Sequence, residues 1–315
     1  MKDFIYIEDL PDFEKSVSEA IALKNNSLKF NLLGQNKSLG MLFFNPSLRT
    51  RLSTQKAAHN LGLKTMVMNF NDEGWKLEFE DGVEMSASSS EHIKEAAAVI
   101  SQYCDMVAIR AFASLNDKKT DESELVLNNF VRYSSVPIIN MESATAHPLQ
   151  ALADAITIKE HKKSDRPKVV LTWAPHPKPL PHAVANSFIK MVKKISADFV
   201  IARPKGYSLN SKIENQVRST SDQKEALKNA DFVYAKNWCS YENYGKILKS
   251  DSEWMITSEK MNLTNNAKFM HCLPIRRNVV ATDNVLDSPN SLVIEQAKNR
   301  IYASQLILKK LLQNE

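Results

Sequence analysis

Residues 39–70 read LGMLFFNPSLRTRLSTQKAAHNLGLKTMVMNF, and this stretch indicates how the chain is built. Its two ends, Leu39 to Phe44 and Lys64 to Phe70, are short apolar runs of strand-forming character. Between them, TRLSTQKAAHNLGL has the spacing of an amphipathic helix. A strand, a helix and a second strand in this order predict a βαβ unit with parallel strands.

The same alternation continues along the whole chain. The further apolar runs are Asp105 to Phe112, Val136 to Met141, Lys168 to Trp173, Asp198 to Ala202, Asp231 to Ala235 and Lys268 to Leu273. They are continuous rather than alternating, as expected when helices cover both faces of a sheet. The sequence therefore predicts an α/β fold with two domains, each a mainly parallel sheet of about four or five strands flanked by helices.

The length supports two domains, because 315 residues exceed what one hydrophobic core usually serves. An amphipathic helix over Pro148 to Lys163 is predicted to link the halves, and Asn290 to Glu315 reads as a last helix. We expect one domain over residues 1–145 and a second over residues 146–295, joined by interdomain helices. The helix 296–315 is expected to pack back on the first domain.

Glycine is scarce: the chain has 7 glycines among 315 residues, or about 2%. Roughly 7% is usual. No two glycines are close enough to form the G-x-G-x-x-G of dinucleotide-binding proteins or the Walker P-loop. Both kinds of nucleotide site are therefore excluded. A phosphate group would have to be held by side chains and a helix N-terminus.

Charge and cysteine content narrow the classes of partner. The net charge is +5, and the 41 basic and 36 acidic residues are interleaved, with no basic block longer than a pair such as Lys162-Lys163. This pattern disfavours a nucleic-acid surface, and an anionic small substrate explains the mild positive balance. The three cysteines are widely spaced and odd in number, so we predict neither disulfides nor a metal site. The N-terminus lacks a signal peptide's apolar core, and no run could span a membrane. We expect a cytoplasmic protein with no membrane or nucleic-acid partner.

The segment NPSLRTR, residues 45–51, joins the first predicted strand to its helix. A helix N-terminus offers free N–H groups, Ser47 and Thr50 add hydroxyls, and Arg49 and Arg51 add planar donors suited to phosphate. The segment is therefore a candidate phosphate site without glycine. The alternative is that Ser47 is an ordinary N-cap and both arginines are solvated.

Two further motifs also follow predicted strands, where ligands of parallel α/β sheets bind. In HPLQ, residues 147–150, His147 can donate to a developing oxyanion and Gln150 can read an NH₂ group. Alternatively, His147 is a cap or a packing residue. In HCLP, residues 271–274, Cys272 has no evident basic partner in the sequence, so a buried thiol before a turn proline is the other interpretation.

Taken in order, S-x-R-T-R, H-P-x-Q and H-C-L-P resemble the aspartate/ornithine carbamoyltransferase family over nearly the whole chain. The resemblance implies transfer of the carbamoyl group of carbamoyl phosphate, with no cofactor and no metal. It implies that Arg110, His147 and Thr50 are catalytic. The carbamoyl-phosphate contacts that it implies are Ser47, Leu48, Arg49, Thr50, Trp75, Arg110, His147, Gln150, Cys272, Leu273 and Arg300.

The chain departs from ornithine carbamoyltransferases where an aspartate holds the α-ammonium of ornithine. Lys236 stands there, in KNWCSYE, and a cation at that place would repel free ornithine. The chain is similar instead to the N-acylornithine branch, whose substrates carry no charge on that nitrogen. The acylornithine contacts implied are Ser90, Glu142, His176, Lys236 and Arg276. The alternatives are a core Trp75, a rigid proline-rich loop around His176, and solvated Lys236 and Arg276.

The acyl group is harder to predict. Acetyl enzymes of the branch carry a glutamate at the position of Ser90 and, at the position of Val280, a lysine that is modified to an anionic carbamate. Succinyl enzymes carry proline and an apolar residue there. Because neither anionic group is present in this chain, we expect N-succinyl-L-ornithine as acceptor in arginine biosynthesis, with N-acetyl-L-ornithine and an inactive binding or regulatory homologue as alternatives. The resemblance further implies a knotted C-terminal domain and a homotrimer in which Trp75 and Ser90 serve a neighbouring subunit's site.

Overall fold

The structure is a computed structural model that describes residues 1–86, 88–248 and 252–314. Its contacts divide the chain into two compact units, and the predicted α/β class is confirmed in both. Unit 1 comprises Met1–Ser114, Lys118–Leu149 and Arg300–Glu315, and unit 2 comprises Leu115–Asp117 and Gln150–Asn299. No helix among the described residues has the length and apolar character needed to cross a membrane.

Unit 1 is organised around a parallel sheet. Its elements are a 3₁₀ turn at Ile7–Asp9, α1 (Phe13–Asn25), β1 (Ser38–Phe43), α2 (Leu48–Asn60), β2 (Lys64–Asn69), α3 (Phe70–Glu73), β3 (Leu77–Glu78), β4 (Glu91–His92), α4 (Ile93–Tyr103), β5 (Met106–Arg110), α5 (Lys118–Glu122), α6 (Leu125–Tyr133), β6 (Ile138–Glu142) and the start of α7 (Pro148–His161). The main sheet has four strands in the order β2-β1-β5-β6, all parallel. A core cluster that includes Ile93, Val107 and Phe130 packs on it.

The helix α2 begins and ends where local chemistry requires. Ser47 is its N-cap, and its hydroxyl accepts a hydrogen bond from the backbone N–H of Thr50 at 3.2 Å. After the helix, Gly62 has φ +80°, and a Cβ there would lie 2.2 Å from the carbonyl oxygen of Asn31. Glycine is therefore required at this helix end, even in a chain with few glycines.

Unit 2 contains a second parallel sheet. Its elements after α7 are β7 (Lys168–Trp173), α8 (Ala183–Val192), β8 (Asp198–Ala202), α9 (Ser211–Glu214), β9 (Arg218–Thr220), α10 (Gln223–Leu227), β10 (Phe232–Lys236), a 3₁₀ turn at Ser252–Trp254, α11 (Ser258–Met261), β11 (Lys268–Met270), α12 (Asp283–Leu286) and α13 (Val293–Gln313). The strand order is β11-β10-β7-β8-β9, and every pair is parallel. Like α7, α13 is divided between the two units.

The structure differs from the sequence prediction at several element ends. β6 begins at Ile138 because Pro137 before it has no N–H to donate. β11 ends at Met270, because the backbone N–H of His271 donates to the side chain of Gln296 instead of to a neighbouring strand. The short strand β9 was not predicted, since RST carries no apolar run.

Strand register determines which predicted site residues become neighbours. Phe43 at the end of β1 pairs with Arg110 at the end of β5, and Arg110 pairs with Glu142 at the end of β6. In unit 2, Lys236 at the end of β10 pairs with Trp173 at the end of β7. The carboxyl ends of both sheets therefore carry the candidate functional side chains, as parallel α/β folds lead one to expect.

Candidate active site

In unit 1, the hydroxyl of Thr50 joins two arginines that are far apart in sequence. Its Oγ1 accepts from Nη1 of Arg110 at 3.2 Å and from Nη2 of Arg300 at 2.6 Å. All three residues are buried. A hydroxyl has two lone pairs and one hydrogen, so Thr50 retains its hydrogen for donation to a ligand. The cluster thus concentrates positive charge and one O–H donor beside the start of α2.

Glu142 connects the same cluster to the histidine of the HPLQ motif. Its Oε2 pairs with Nη1 of Arg110 and lies 3.2 Å from Nε2 of His147. Glu142 and His147 are both buried. The guanidinium of Arg110 also lies over the ring of Phe112, with its central carbon 4.1 Å from the ring centroid. The structure therefore brings Thr50, Arg110, Glu142, His147 and Arg300 together.

The N-terminus of α2 lies next to this cluster in the chain. Ser47 caps Thr50, and the N–H groups of Leu48 and Arg49 are in the first turn, where an α-helix leaves N–H groups without helical partners. The side chain of Leu48 is exposed, so any role of this residue falls to its backbone. Arg49 is half-buried rather than fully solvated. This helix start combines N–H donors with cationic side chains, which is the chemistry that a phosphate group needs.

Trp75 and Ser90 lie on a separate, exposed segment of unit 1. Nε1 of Trp75 donates to Oε2 of Glu91 at 2.8 Å, and the N–H of Ser90 donates to the carbonyl of Lys76 at 2.9 Å. Trp75 lies just before β3 and Ser90 just before β4, and these two short strands pair with each other. Trp75 is 58% exposed, so it is not a core residue. Its indole face is available for contact with another molecule.

In unit 2, three basic side chains lie at or just after the carboxyl ends of strands: His176 follows β7, Lys236 ends β10 and Arg276 follows β11. Nε of Arg276 donates to Nε2 of His176 at 3.2 Å, which leaves Nδ1 of His176 to donate to the carbonyl of Lys178 at 2.8 Å. Burial lowers the pKa of His176, and the charges of Lys236 and Arg276 lower it further. Lys236 is buried and donates to the carbonyl of Asn237 at 3.0 Å. The structure therefore places His176 beside Arg276, within electrostatic reach of Lys236.

The two remaining motif groups lie in buried parts of unit 2. Gln150 is 1% exposed, and its Nε2 donates to Oδ1 of Asp154 at 2.7 Å. Cys272 is buried, and Leu273 has φ +57°. The N–H of Leu273 donates to Nδ1 of His271 at 2.9 Å. The HCLP segment is thus held by its own histidine.

Three residues that support the site were not identified from the sequence. Phe112 packs on Arg110, Asp154 binds Gln150, and Glu124 holds the segment before His147 by accepting from the backbone N–H groups of Ala144 and Thr145. Only Asp154 had a readable signal, because a carboxylate four residues after a glutamine shares its helix face.

Comparison with known proteins agrees with this arrangement. Residues 2–160 match the family model described as aspartate/ornithine carbamoyltransferase, carbamoyl-P binding domain, and residues 181–311 match its Asp/Orn binding domain. The chain belongs to the aspartate/ornithine carbamoyltransferase family. The predicted family and the prediction of a carbamoyltransferase are confirmed.

Relatives in this family include both acyl types. The chain is 49% identical to N-succinylornithine carbamoyltransferase of Bacteroides thetaiotaomicron, over 99% of each chain. It is 38% identical to N-acetylornithine carbamoyltransferase of Xanthomonas axonopodis pv. citri, over 99% of this chain and 96% of that protein. A solved acetylornithine transcarbamylase, complexed with acetylcitrulline, superposes with a TM-score of 0.93 at 36% identity and 99% coverage of both chains.

Proposed function

We propose that this carbamoyltransferase moves the carbamoyl group of carbamoyl phosphate to the δ-amine of N-succinyl-L-ornithine, giving N-succinyl-L-citrulline and phosphate. The choice of an acylated acceptor is supported by the group of basic residues in unit 2. Lys236 is buried at the end of β10, where its charge acts on His176, and His176 holds Arg276. Such a group favours a dianionic substrate and opposes a free α-ammonium.

The choice of succinyl over acetyl rests on two further positions. Ser90 is exposed and uncharged, and Val280 is buried in an apolar cluster with Ala235 and Phe269. Neither position presents an anion that would repel a second carboxylate. In agreement, a glutamate-to-serine variant of N-acetyl-L-ornithine transcarbamylase was crystallised with carbamyl phosphate and N-succinyl-L-norvaline. The relatives named N-succinylornithine carbamoyltransferase are also more similar to this chain than the acetyl relatives above.

The chemistry assigned to unit 1 is electrostatic. The neutral δ-amine attacks the carbamoyl carbon, the tetrahedral intermediate expels phosphate, and the proton lost by nitrogen ends on phosphate. Arg110, His147 and the hydroxyl of Thr50 would stabilise the oxyanion. The start of α2, with Ser47 and Arg49, would bind the phosphate, and Arg300 would add positive charge.

The exposed segment with Trp75 and Ser90 is assigned to contact with a neighbouring subunit. An indole that is 58% exposed and held by Glu91 is a suitable contact residue. This contact is the basis for proposing a homotrimer that shares sites between subunits. By resemblance to the N-acylornithine branch, the proposal also includes a knotted unit 2 and a place in arginine biosynthesis. It further includes a cytoplasmic location. Sedimentation analysis of the purified protein tests the trimer.

A turnover assay tests the proposed activity. The purified protein is expected to form N-succinyl-L-citrulline from carbamoyl phosphate and N-succinyl-L-ornithine without added nucleotide or metal. Its kcat/KM for the succinyl substrate should exceed that for N-acetyl-L-ornithine. A higher value for the acetyl substrate would identify the acetyl alternative, and no product from either would favour the inactive homologue.

A further inference from the structure

Asp154 is the centre of a buried hydrogen-bond network in unit 2. Its Oδ1 accepts from Nε2 of Gln150 and from Nε2 of Gln296, both at 2.7 Å. All three residues are at most 1% exposed. Two amides therefore converge on one carboxylate oxygen, and each is oriented with its NH₂ end toward Asp154.

This orientation decides what Gln150 offers to a ligand. An amide has a donor end and an acceptor end, and Oδ1 of Asp154, which already accepts two hydrogen bonds, can bind only the donor end. The Oε1 of Gln150 is buried and has no hydrogen-bond partner among the described residues. A buried acceptor without a partner is costly, so it indicates a donor that arrives with a ligand.

The second amide extends the network to the HCLP motif. The Oε1 of Gln296 accepts from the backbone N–H of His271 at 3.0 Å. Asp154 thus orients Gln296, and Gln296 in turn holds the first residue of the segment that contains Cys272 and Leu273. Gln150 and the HCLP segment, both assigned to carbamoyl phosphate by the resemblance, are therefore held by one carboxylate.

We propose that Asp154 is a positioning residue for carbamoyl recognition: it locks Gln150 so that Oε1, an acceptor, faces the NH₂ group of the donor substrate. This inference rests on the proposed function, because it requires a ligand with a carbamoyl NH₂. Asp154 itself touches no reacting atom. Its effect is selectivity for an NH₂ group over an isosteric methyl group.

The variant Asp154→Leu removes the shared acceptor and keeps a side chain of similar size. Because both glutamines donate to the same Oδ1, neither amide is then held by its NH₂ end. Gln150 can turn its own NH₂ end toward the ligand, where two donors meet. In the conservative variant Asp154→Asn, the amide Oδ1 can accept from both glutamines as the carboxylate does, so Gln150 keeps its orientation.

Two stable analogues of carbamoyl phosphate measure this selectivity. Phosphonoacetamide carries the NH₂ group, and 2-oxopropylphosphonate has a methyl group in its place. Calorimetric titration of the full-length protein should give tighter binding of the amide by about 10- to 100-fold, as expected when a buried acceptor gains its donor. In Asp154→Leu this ratio should fall at least about tenfold, and Asp154→Asn should keep it.

A matched control separates positioning from general damage. Thr157 lies on the same helix as Asp154, and its Oγ1 accepts from Asn299 of α13 at 3.0 Å. Thr157→Val removes a buried α7–α13 hydrogen bond that does not involve Gln150, so the selectivity should remain. If Asp154→Leu weakens both analogues equally, or leaves their ratio unchanged, the positioning role is wrong.

A second measurement does not depend on the variants. A neutron-diffraction structure of the unaltered protein with phosphonoacetamide, which distinguishes amide nitrogen from oxygen, should place the ligand's amide nitrogen within hydrogen-bond distance of Oε1 of Gln150, while Nε2 stays on Asp154. An amide of Gln150 turned the other way would overturn the proposal. If the unaltered protein binds neither analogue, the proposed function fails as well, whereas turnover without NH₂ selectivity overturns the Asp154 role alone.

Discussion

The Nε2 atom of His147 lies 3.2 Å from Oε2 of Glu142, and the same carboxylate oxygen pairs with Arg110. One carboxylate therefore occupies two of the donors assigned to the carbamoyl oxygen. A carbamoyl phosphate molecule would have to replace it on Arg110 and His147. Glu142 thus opposes binding of the donor substrate, although it is also assigned to the acylornithine.

Glu142→Gln should consequently affect the two substrates in opposite directions. A unit charge about 4 Å away is worth about 1 kcal/mol in water and more in a buried site, so the Kd of phosphonoacetamide should fall by roughly fivefold or more. The KM for N-succinyl-L-ornithine should rise, because residue 142 no longer offers this substrate a charged hydrogen-bond acceptor. Calorimetry and steady-state kinetics measure these values. A weaker affinity for phosphonoacetamide would contradict the competition.

Thr50→Val tests the hydroxyl that joins Arg110 and Arg300. The variant keeps the shape but removes the acceptor for both guanidinium groups and the O–H assigned to the oxyanion. We expect kcat to fall by about 10² to 10³, as for loss of one oxyanion donor. The control is Thr54→Val on the same helix, because the hydroxyl of Thr54 is buried without a partner among the described residues. Equal activity of the two variants would remove Thr50 from the catalytic group.

The strand ends that carry these residues were predictable, but the contacts between their side chains were not. Continuous apolar runs located the strands, and Ser47 three residues before Thr50 gave the start of α2. The pairing of Arg110 with Glu142 depends on the register of β5 against β6, which includes an irregularity at Ile109. No local pattern in the sequence sets that register.

The buried network of unit 2 shows the same limit more clearly. Asp154 and Gln296 are 142 residues apart, and each lies in a helix whose sequence reads as ordinary amphipathic packing. Their hydrogen bond follows from how α7 and the first turn of α13 pack within unit 2. Polar residues on a buried helix face are a signal that such partners exist, but they do not say which residues pair.

Lys236→Met tests the recognition of the acylated substrate. The change removes the buried cation while keeping a chain of similar length, so the KM for N-succinyl-L-ornithine should rise by about 10- to 100-fold, as expected for a hydrogen bond to a charged group. The affinity for phosphonoacetamide should change little. Lys168→Met, at the amino end of the neighbouring strand β7, is the control. A similar loss for both ligands would argue against the role of Lys236.

The bond between His176 and Arg276 predicts a pH dependence of stability. Burial and nearby cations lower the pKa of His176 below its ordinary 6.5, so the unfolded chain binds a proton more readily than the folded one. The stabilising contribution of the neutral ring is complete above pH 6.5 and is lost as the pH falls through the lowered pKa. His176→Gln keeps an acceptor that does not titrate. The Tm of the unaltered protein should therefore drop relative to that of His176→Gln between pH 7 and pH 5. A Tm difference that stays constant over this range would contradict a lowered pKa of His176 in the folded protein.

Ser90→Glu tests how the acyl group is selected. Ser90 is exposed on the segment assigned to a neighbouring site, and a glutamate there would face the second carboxylate of a succinyl group but not an acetyl group. Repulsion of about 1 to 4 kcal/mol at 4 Å would lower the succinyl-to-acetyl ratio of kcat/KM by at least about fivefold. Ser88→Glu is the matched control, because it adds the same charge on the same segment at a hydroxyl that accepts from Nζ of Lys76 at 3.0 Å. Lys76 would neutralise that charge, so the ratio should stay near the original. If both variants shift the ratio equally, the effect is that of general charge on the segment, and Ser90 does not itself read the acyl group.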